Sequence, residues 1–430
     1  MRSPPESAPA IDLSIVIPAL HEADNLALLL PRLRSVLEEL GVRCEIIVVD
    51  RNPDQATVQV TDRFGARLIE QQERGYGGAL IAGFEAAHGA HILTMDADLS
   101  HPPLFIKDLW EGRHEAKVVI ASRYVPGGGA HMPFVRRVLS RVLNLFFTRG
   151  LSLSVRDMSS GFRLYDAGAL RQLRLQARDF DIVQEILVRV FCEGWPVGEI
   201  PFIYAPRQHG SSHARILAFG MAYLRTFAAL YRLRNSILSA DYDDRAYDSP
   251  IPPQRYWQRQ RFRHVTALIA GEGPTLDVGC GSSRIIGALS PGSVSLDILM
   301  RKLRHARKFG TNLVQGSAFR LPFGEDSFPC VLCSQVIEHV PKESPILDEL
   351  CRVLKPGGRL VIGTPDYNHW QWLAVEAVYQ RVLPSAYADE HIAHYTRREL
   401  LEFFRARGYR HEETRYILGG ELIMALRKPG

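Results

Sequence analysis

No run of 18 apolar residues occurs anywhere in the 430-residue chain, so no segment reads as a helix able to span a bilayer. The opening MRSPPESAPA lacks the apolar core of a secretory signal, and a soluble or peripheral protein is expected. Cysteine is sparse. Its six residues are scattered without the spacing of a disulfide framework, which fits a reducing cytoplasm. Cys330 and Cys333 form a CxxC, yet they lie in the apolar run PCVLCSQV, where positions three apart on a strand face opposite sides. They are expected to be buried rather than paired on a metal. A surplus of one charge is missing too: 52 Lys and Arg stand against 47 Asp and Glu, a net +5. That permits phosphorylated ligands but falls short of the basic clustering of a dedicated nucleic-acid binder. No short-period repeat is present, which excludes a solenoid.

What is present is the composition of a globular protein with sizeable cores, 46% hydrophobic and 23% charged, in a chain too long for one ordinary domain. Apolar runs LSIVIPAL, CEIIVVD, HILTMDAD and KVVIASRY alternate with helix-patterned segments such as NLALLLPRLRSVLEEL. This βαβ order predicts a parallel sheet with helices on both faces and ligands beyond the carboxyl ends of its strands. The polar stretch SADYDDRAYDSPIPPQ reads as a linker over residues 239–254. A second series follows with PTLDVGCG, SVSLDIL, NLVQGSA, PCVLCSQV and GRLVIGTP. The expected fold class is therefore two α/β domains, residues 1–238 and 255–430.

Within ILTMDADLSHPP, Asp96 and Asp98 stand two positions apart at the end of a strand-like run. Side chains on a strand alternate with period two, so both carboxylates point the same way if the strand persists. Like charges so close repel. An acidic turn is the plain alternative, since Asp is a common turn former.

The pieces SIVIPALHEADNL, EIIVVD, RGYGGALIAGF, MDADLSHPP, ASRYVPGGG, SGFRLYDAGAL, FDIVQEI and APRQHGSS occur in order over residues 13–213. In that order they resemble the inverting family 2 glycosyltransferases of GT-A fold, nearest the polyprenyl (dolichol) phosphate mannosyltransferase branch. The resemblance implies that Pro18, Glu22, Asp50 and Ala97 line a nucleotide-sugar pocket, that Asp96 and Asp98 hold a divalent metal, and that Arg123 and Arg207 reach phosphates. Mg²⁺ or Mn²⁺ shared by two carboxylates would offset their repulsion and stabilise a leaving diphosphate. Arginines can add bidentate phosphate contacts. Relatives carry DDGS or DDNS after the first strand-end acid where this chain reads VVDRNPDQAT, so Arg51 replaces an acid and Asp54 is left as the one carboxylate able to swing back. His213 stands where relatives often have Lys, which makes charge there depend on pH.

Two segments suit a greasy acceptor at an anionic membrane face. FVRRVLSRVLNLFFTRG (134–150) sets Arg136, Arg137, Arg141 and Arg149 among Val, Leu and Phe, and ARILAFGMAYLRTFAALYRLR (214–234) is built alike. A helix of this kind also serves simply to cover a core.

In the second half TLDVGCGSS closes a strand in a glycine-rich turn, and Asp297 follows 20 residues after Asp277 at the next strand end. An acid there can accept both hydroxyls of a ribose, and the turn by itself suits NAD equally. With GSAFRLPFGEDSF, SQVIEHV, RVLKPGGRLVIGTP and DEHIAHYTRRELLEFFRARGY, residues 255–428 resemble class I S-adenosylmethionine-dependent methyltransferases. The resemblance implies Asp277, Gly279, Gly281 and Asp297 at the cofactor and Ser317 and Ala318 near adenine. It also puts His339, His391, His394 and Tyr395 on the methyl-acceptor side, where one could act as base for an O-methylation or simply orient a loop. Ser283 replaces the last glycine of the turn, and Ser317 replaces the customary acid.

Together these readings describe a bifunctional, cytoplasmic enzyme, peripheral on a membrane. One half would move a sugar, GDP-mannose being the first choice of donor, to a polyprenyl phosphate, and the other would transfer methyl groups. The alternative is a degenerate glycosyltransferase half that only docks the methyltransferase.

Overall fold

The computed structural model describes residues 11–131, 134–204, 216–382 and 391–430. The chain divides into two compact units, Met1–Phe191 with Trp195–Tyr231, and Cys192–Gly194 with Arg232–Gly430. Each is an α/β unit built around one seven-stranded sheet.

The first unit contains β1 (Leu13–Ala19), β2 (Cys44–Asp50), β3 (Arg67–Glu70), β4 (His91–Thr94), β5 (Val118–Ser122), β6 (Gly129–Ala130), β7 (Arg163–Asp166), β8 (Val197–Pro201) and β9 (Ile203–Tyr204). Its sheet runs β3-β2-β1-β4-β7-β5-β8, with β6 and β9 paired separately. The continuous apolar runs of β1 and β2 follow from burial on both faces. Helix Ala23–Leu40 covers one face with Leu26, Leu29, Leu30, Leu33 and Leu37, spaced as one helical stripe, against Ile15, Ile17, Ile46 and Val48. The expected all-parallel sheet is corrected here. β7 runs antiparallel to both β4 and β5. The chain leaves β5 at its carboxyl end and returns as β7 without a crossover to the other end, so the returning strand must run backwards.

The second unit contains β10 (Thr275–Val278), β11 (Val294–Asp297), β12 (Leu313–Gln315), β13 (Phe328–Ser334), β14 (Leu354–Pro365), β15 (Arg410–Ile417) and β16 (Glu421–Arg427). Their order is β12-β11-β10-β13-β14-β16-β15, parallel except that β16 is antiparallel to both neighbours. The hairpin from β15 to β16 turns through Leu418 and Gly419, both with positive φ. Cys330 and Cys333 are fully buried on β13 and join different core clusters, as alternation along a strand requires. Residues 239–254 are not an extended tether. They hold helix Tyr242–Tyr247 and the start of helix Pro252–Ile269, because Tyr242 and Ala246 find apolar burial and the acids find cationic partners within the second unit.

Candidate active sites

In the first unit, parallel register brings the strand ends together. Ala19 pairs with Asp50 across β1 and β2, and Val16 pairs with Thr94 across β1 and β4. Half-buried Pro18 and Glu22, buried Asp50 and the acids beyond Thr94 therefore share the carboxyl edge of the sheet, where such sheets bind ligands. Glu22 accepts a hydrogen bond from Asn25, and Asp50 Oδ1 accepts from the Asn52 amide at 3.0 Å.

Of the two readings the sequence left open, the turn is the one found, and the strand does not persist to the two acids. β4 ends at Thr94, and Asp96 and Asp98 lie in the turn after it. They are consequently unequal: the Asp96 side chain is 31% exposed whereas Asp98 is 4% exposed. Asp98 Oδ1 accepts from the amide of Ser100 at 3.1 Å and from its hydroxyl. Leu99 takes a positive φ to make this turn, a conformation that is uncommon outside glycine and marks local strain. Ala97 is buried in the core, so its side chain lies within the unit's apolar cluster.

The sequence assigned His101 no role in the site. It is 3% exposed, stacks on Phe162 at 4.7 Å between centroids, and its Nδ1 accepts from the Asp96 amide at 2.9 Å. Its proton must then sit on Nε2, which lies 3.8 Å from Asp96 Oδ2. Tyr76, stacked on Phe180, puts its hydroxyl 3.4 Å from Asp96 Oδ1. Asp96 is thus steered from two sides. His101→Phe keeps the stacking but frees the Asp96 amide, and the expected result is roughly tenfold weaker metal-dependent binding of a nucleotide sugar, a loss typical of partners that orient a ligand. Titration calorimetry with and without Mn²⁺ measures it.

Arg123 is not aimed freely at a ligand. Its Nε and Nη2 are both given to Asp157 at 2.8 Å, and Nη2 also reaches Ser159 Oγ at 2.7 Å. Burial alone would pull its pKa down, but the hydrogen bond and charge of Asp157 prevail and raise it. Asn144 of helix Phe134–Gly150 joins the same network through Ser159 Oγ and the Met158 amide. Asp54 does not swing back toward Asp50. It caps helix Gln55–Arg63 by accepting from the Thr57 amide at 2.7 Å. Arg207 and His213 lie outside the described residues.

In the second unit, Gly279 and Gly281 have φ of 73° and 56°, and a Cβ on Gly279 would come within 2.2 Å of Val336. Asp297 at the end of β11 accepts from the Gly281 amide at 2.9 Å and the Leu299 amide at 2.8 Å, one bond on each oxygen. Lone pairs remain for two ribose hydroxyls. Burial and the charge of Asp297 push Asp277 up to about 7. Half-buried Ser317 and Ala318 follow β12. This set fits S-adenosylmethionine. Asp243, from the stretch read as a linker, accepts from Ser282 N at 2.9 Å, Ser282 Oγ at 3.1 Å and Lys302 Nζ at 2.8 Å. Its acidic run DYDD was the only signal, since its partners lie far along the chain.

On the expected acceptor side, His339 and His391 meet with ring centroids 5.1 Å apart, and His394 stacks on Tyr367 at 4.0 Å. Tyr395 does not join them; its ring is 4% exposed within the core. His391 lines a small solvent-open cleft with Gln254, Trp257, Arg261, Trp372 and Glu376.

Comparison with known proteins agrees with this division. The glycosyl transferase family 2 model matches residues 14–174, and the methyltransferase domain model matches residues 276–362. A dolichol-phosphate mannosyltransferase of Saccharomyces cerevisiae is 30% identical over 47% of this chain and 81% of its own length. One from Pyrococcus furiosus is 30% identical over 51% of this chain and 63% of its own, so the chain spans under two thirds of that relative. Glucosyl-3-phosphoglycerate synthase of Mycobacterium tuberculosis, solved with Mn²⁺ and UDP-glucose, aligns at 17% identity over 51% of this chain and 79% of that one, with a TM-score of 0.43.

Proposed function

Because the chain belongs to glycosyl transferase family 2 through its first half and carries a methyltransferase domain in its second, we propose a bifunctional transferase. Its first half moves a sugar, with inversion, from a nucleotide diphosphate to a polyprenyl phosphate, GDP-mannose being the preferred donor. The observation that carries this reading is the Asp96–Asp98 turn at the carboxyl edge of the sheet, held by His101 and Ser100 beside Asp50 and Glu22. Asp96 and Asp98 would hold Mg²⁺ or Mn²⁺, which when bound neutralises the diphosphate as it departs. Asp50, Glu22 and Pro18 line the donor pocket, and the Arg123–Asp157 pair fixes the loop beside it. A phosphate monoester has its second pKa near about 6, so the acceptor is already largely an anion at neutral pH and attacks without a protein base. In the second half Asp277, Gly279, Gly281, Asp297, Ser317 and Ala318 would hold S-adenosylmethionine, and the simplest reason for the fusion is that one half methylates what the other makes or consumes.

A second reading has a specific observation behind it. Arg51 replaces an acid and Asp54 is spent on a helix cap, which leaves Asp50 alone at that strand end and suits a docking module that turns over no donor. Hydrolysis or transfer of a nucleotide sugar that depends on Mg²⁺ excludes it.

Helix Phe134–Gly150 supports a peripheral site on the cytoplasmic face of a membrane. Phe134 is 74% exposed, and Leu139, Val142, Leu145 and Phe146 are exposed with it, alongside Arg137, Arg141 and Arg149. No helix among the described residues is long and apolar enough to cross a membrane. Each arginine near an anionic surface adds about 1 kcal/mol. The expected result is cosedimentation with vesicles containing phosphatidylserine, weakened at least tenfold by Val142→Glu with Phe146→Glu. Equal binding of the variant and the parent would remove this helix from the membrane site.

A further inference from the structure

Glu338 is a carboxylic acid with no ordinary reason to be where it is. It is 0% exposed, its Oε2 accepts from Thr364 at 3.1 Å, and its Oε1 has no hydrogen-bond partner among the described residues. A buried acid left this way is costly unless something neutralises it. Two imidazoles flank it: one carboxylate oxygen of Glu338 and one nitrogen each of His339 and His391 all lie within 4.8 Å of one another.

We propose that Glu338, His339 and His391 hold a divalent first-row transition metal, zinc by donor preference, beside the acceptor cleft of the methyltransferase half. Two imidazoles and one carboxylate are a donor set for Zn²⁺ with a further position open, unlike the oxygen-only surroundings that Mg²⁺ prefers. Ligand atoms around zinc at about 2.1 Å stand roughly 3.4 Å apart, so the three side chains need close only by about an ångström. The surroundings resemble the outer support of metal ligands. Tyr367 Oη lies 2.8 Å from His391 Nδ1 and 3.4 Å from Glu376 Oε1, which orients the ring. The backbone is pinned as well, since the Ile392 and Ala393 amides both donate to the Glu338 carbonyl.

His391 reaches the cleft, where Gln254 and Gln258 bring side-chain amides suited to a hydroxylated ligand, while the Arg261 guanidinium is taken up by Glu421 and Gln258. The open metal position would take a hydroxyl of the acceptor and ease its ionisation. The oxygen attacks the sulfonium methyl carbon, a C–O bond forms as the C–S bond breaks, the thioether leaves neutral, and the hydroxyl proton passes to solvent. This rests on the second half acting as a methyltransferase, but its test reads metal binding and needs no methyl transfer, so the two can fail separately.

The test is a titration of cobalt(II) into the purified full chain bearing Asp96→Asn and Asp98→Asn, which removes the carboxylate pair of the other half. Visible absorption bands of cobalt and elemental analysis report occupancy, and S-adenosylmethionine binding reports that the second half is folded. The expected result is one saturable equivalent, weakened at least tenfold by a further Glu338→Gln or His391→Ala and about tenfold by Tyr367→Phe. No saturable cobalt in the Asp96→Asn, Asp98→Asn chain, or unchanged affinity after Glu338→Gln, would overturn the site and leave Glu338 a neutral acid bonded to Thr364.

Discussion

Asp96→Asn or Asp98→Asn is expected to lower sugar transfer at least 10³-fold while S-adenosylmethionine binds as before, and Asp297→Ala is expected to do the reverse. The first effect follows from charge. Asparagine keeps the shape and, at position 98, can still accept from Ser100, but it gives up the negative charge that holds a divalent cation against the diphosphate. A factor of 10³ is about 4 kcal/mol, within the several kcal/mol that such neutralisation supplies. The second effect has a different origin. Asp297 accepts from the Gly281 and Leu299 amides, so its loss removes the ribose acceptors and unties the glycine-rich turn together. With hydrogen bonds to a charged group worth about 1.5–3 kcal/mol each, roughly a hundredfold weaker binding is expected. Calorimetry with each ligand on all three variants separates the sites. Loss of both ligands from any one variant would mean general unfolding rather than loss of a site.

Removing Arg123 should cost stability before it costs chemistry. Arg123 is 11% exposed at its side chain and Asp157 0%, and truncating one partner of such a pair leaves the other charge buried and uncompensated, at about 3–5 kcal/mol. Arg123→Ala and Asp157→Ala should therefore each lower the unfolding midpoint of the first half by roughly 10 °C. Arg123 engaged only with a phosphate would instead leave the midpoint of the ligand-free protein unchanged. Acidity offers a second reading of the pair. Burial would raise the Asp157 carboxyl, but the hydrogen bond and charge of Arg123 outweigh it and hold the folded value below the usual range. That stabilisation is full above the unfolded value of about 3.9 and is lost as pH falls through the folded one, so acid unfolding should begin below about pH 4 in the parent and lose this component in Asp157→Ala.

The features legible in the sequence were those set by local chemistry. The Val and Ile runs of β1 and β2, the leucine stripe of helix Ala23–Leu40, the paired acids and the glycine turn each declare themselves within a few residues. What stayed hidden depends on contacts between distant residues. The direction of β7 follows from where the chain re-enters the sheet, not from RLYD itself. Arg123 looked free because Asp157 lies 34 positions away, and Asp243 looked like linker because Ser282 lies 39 away. His101 was the nearest miss. It stands five residues past Asp96 inside the motif already singled out, but its task appears only when the turn folds its ring back under the Asp96 amide.

Transfer of label from GDP-mannose to a short polyprenyl phosphate, set beside the matching polyprenyl alcohol, with and without chelator at pH 6 to 9, tests the proposed reaction most directly. The expected result is product from the phosphate alone, abolished by chelator, with measurable activity that survives single replacement of His21, His101, His131, Glu185 or His213. Transfer to the alcohol, dependence on one of those side chains while donor binding is retained, or no turnover of any nucleotide sugar would contradict a glycosyltransferase that acts on an anionic lipid phosphate.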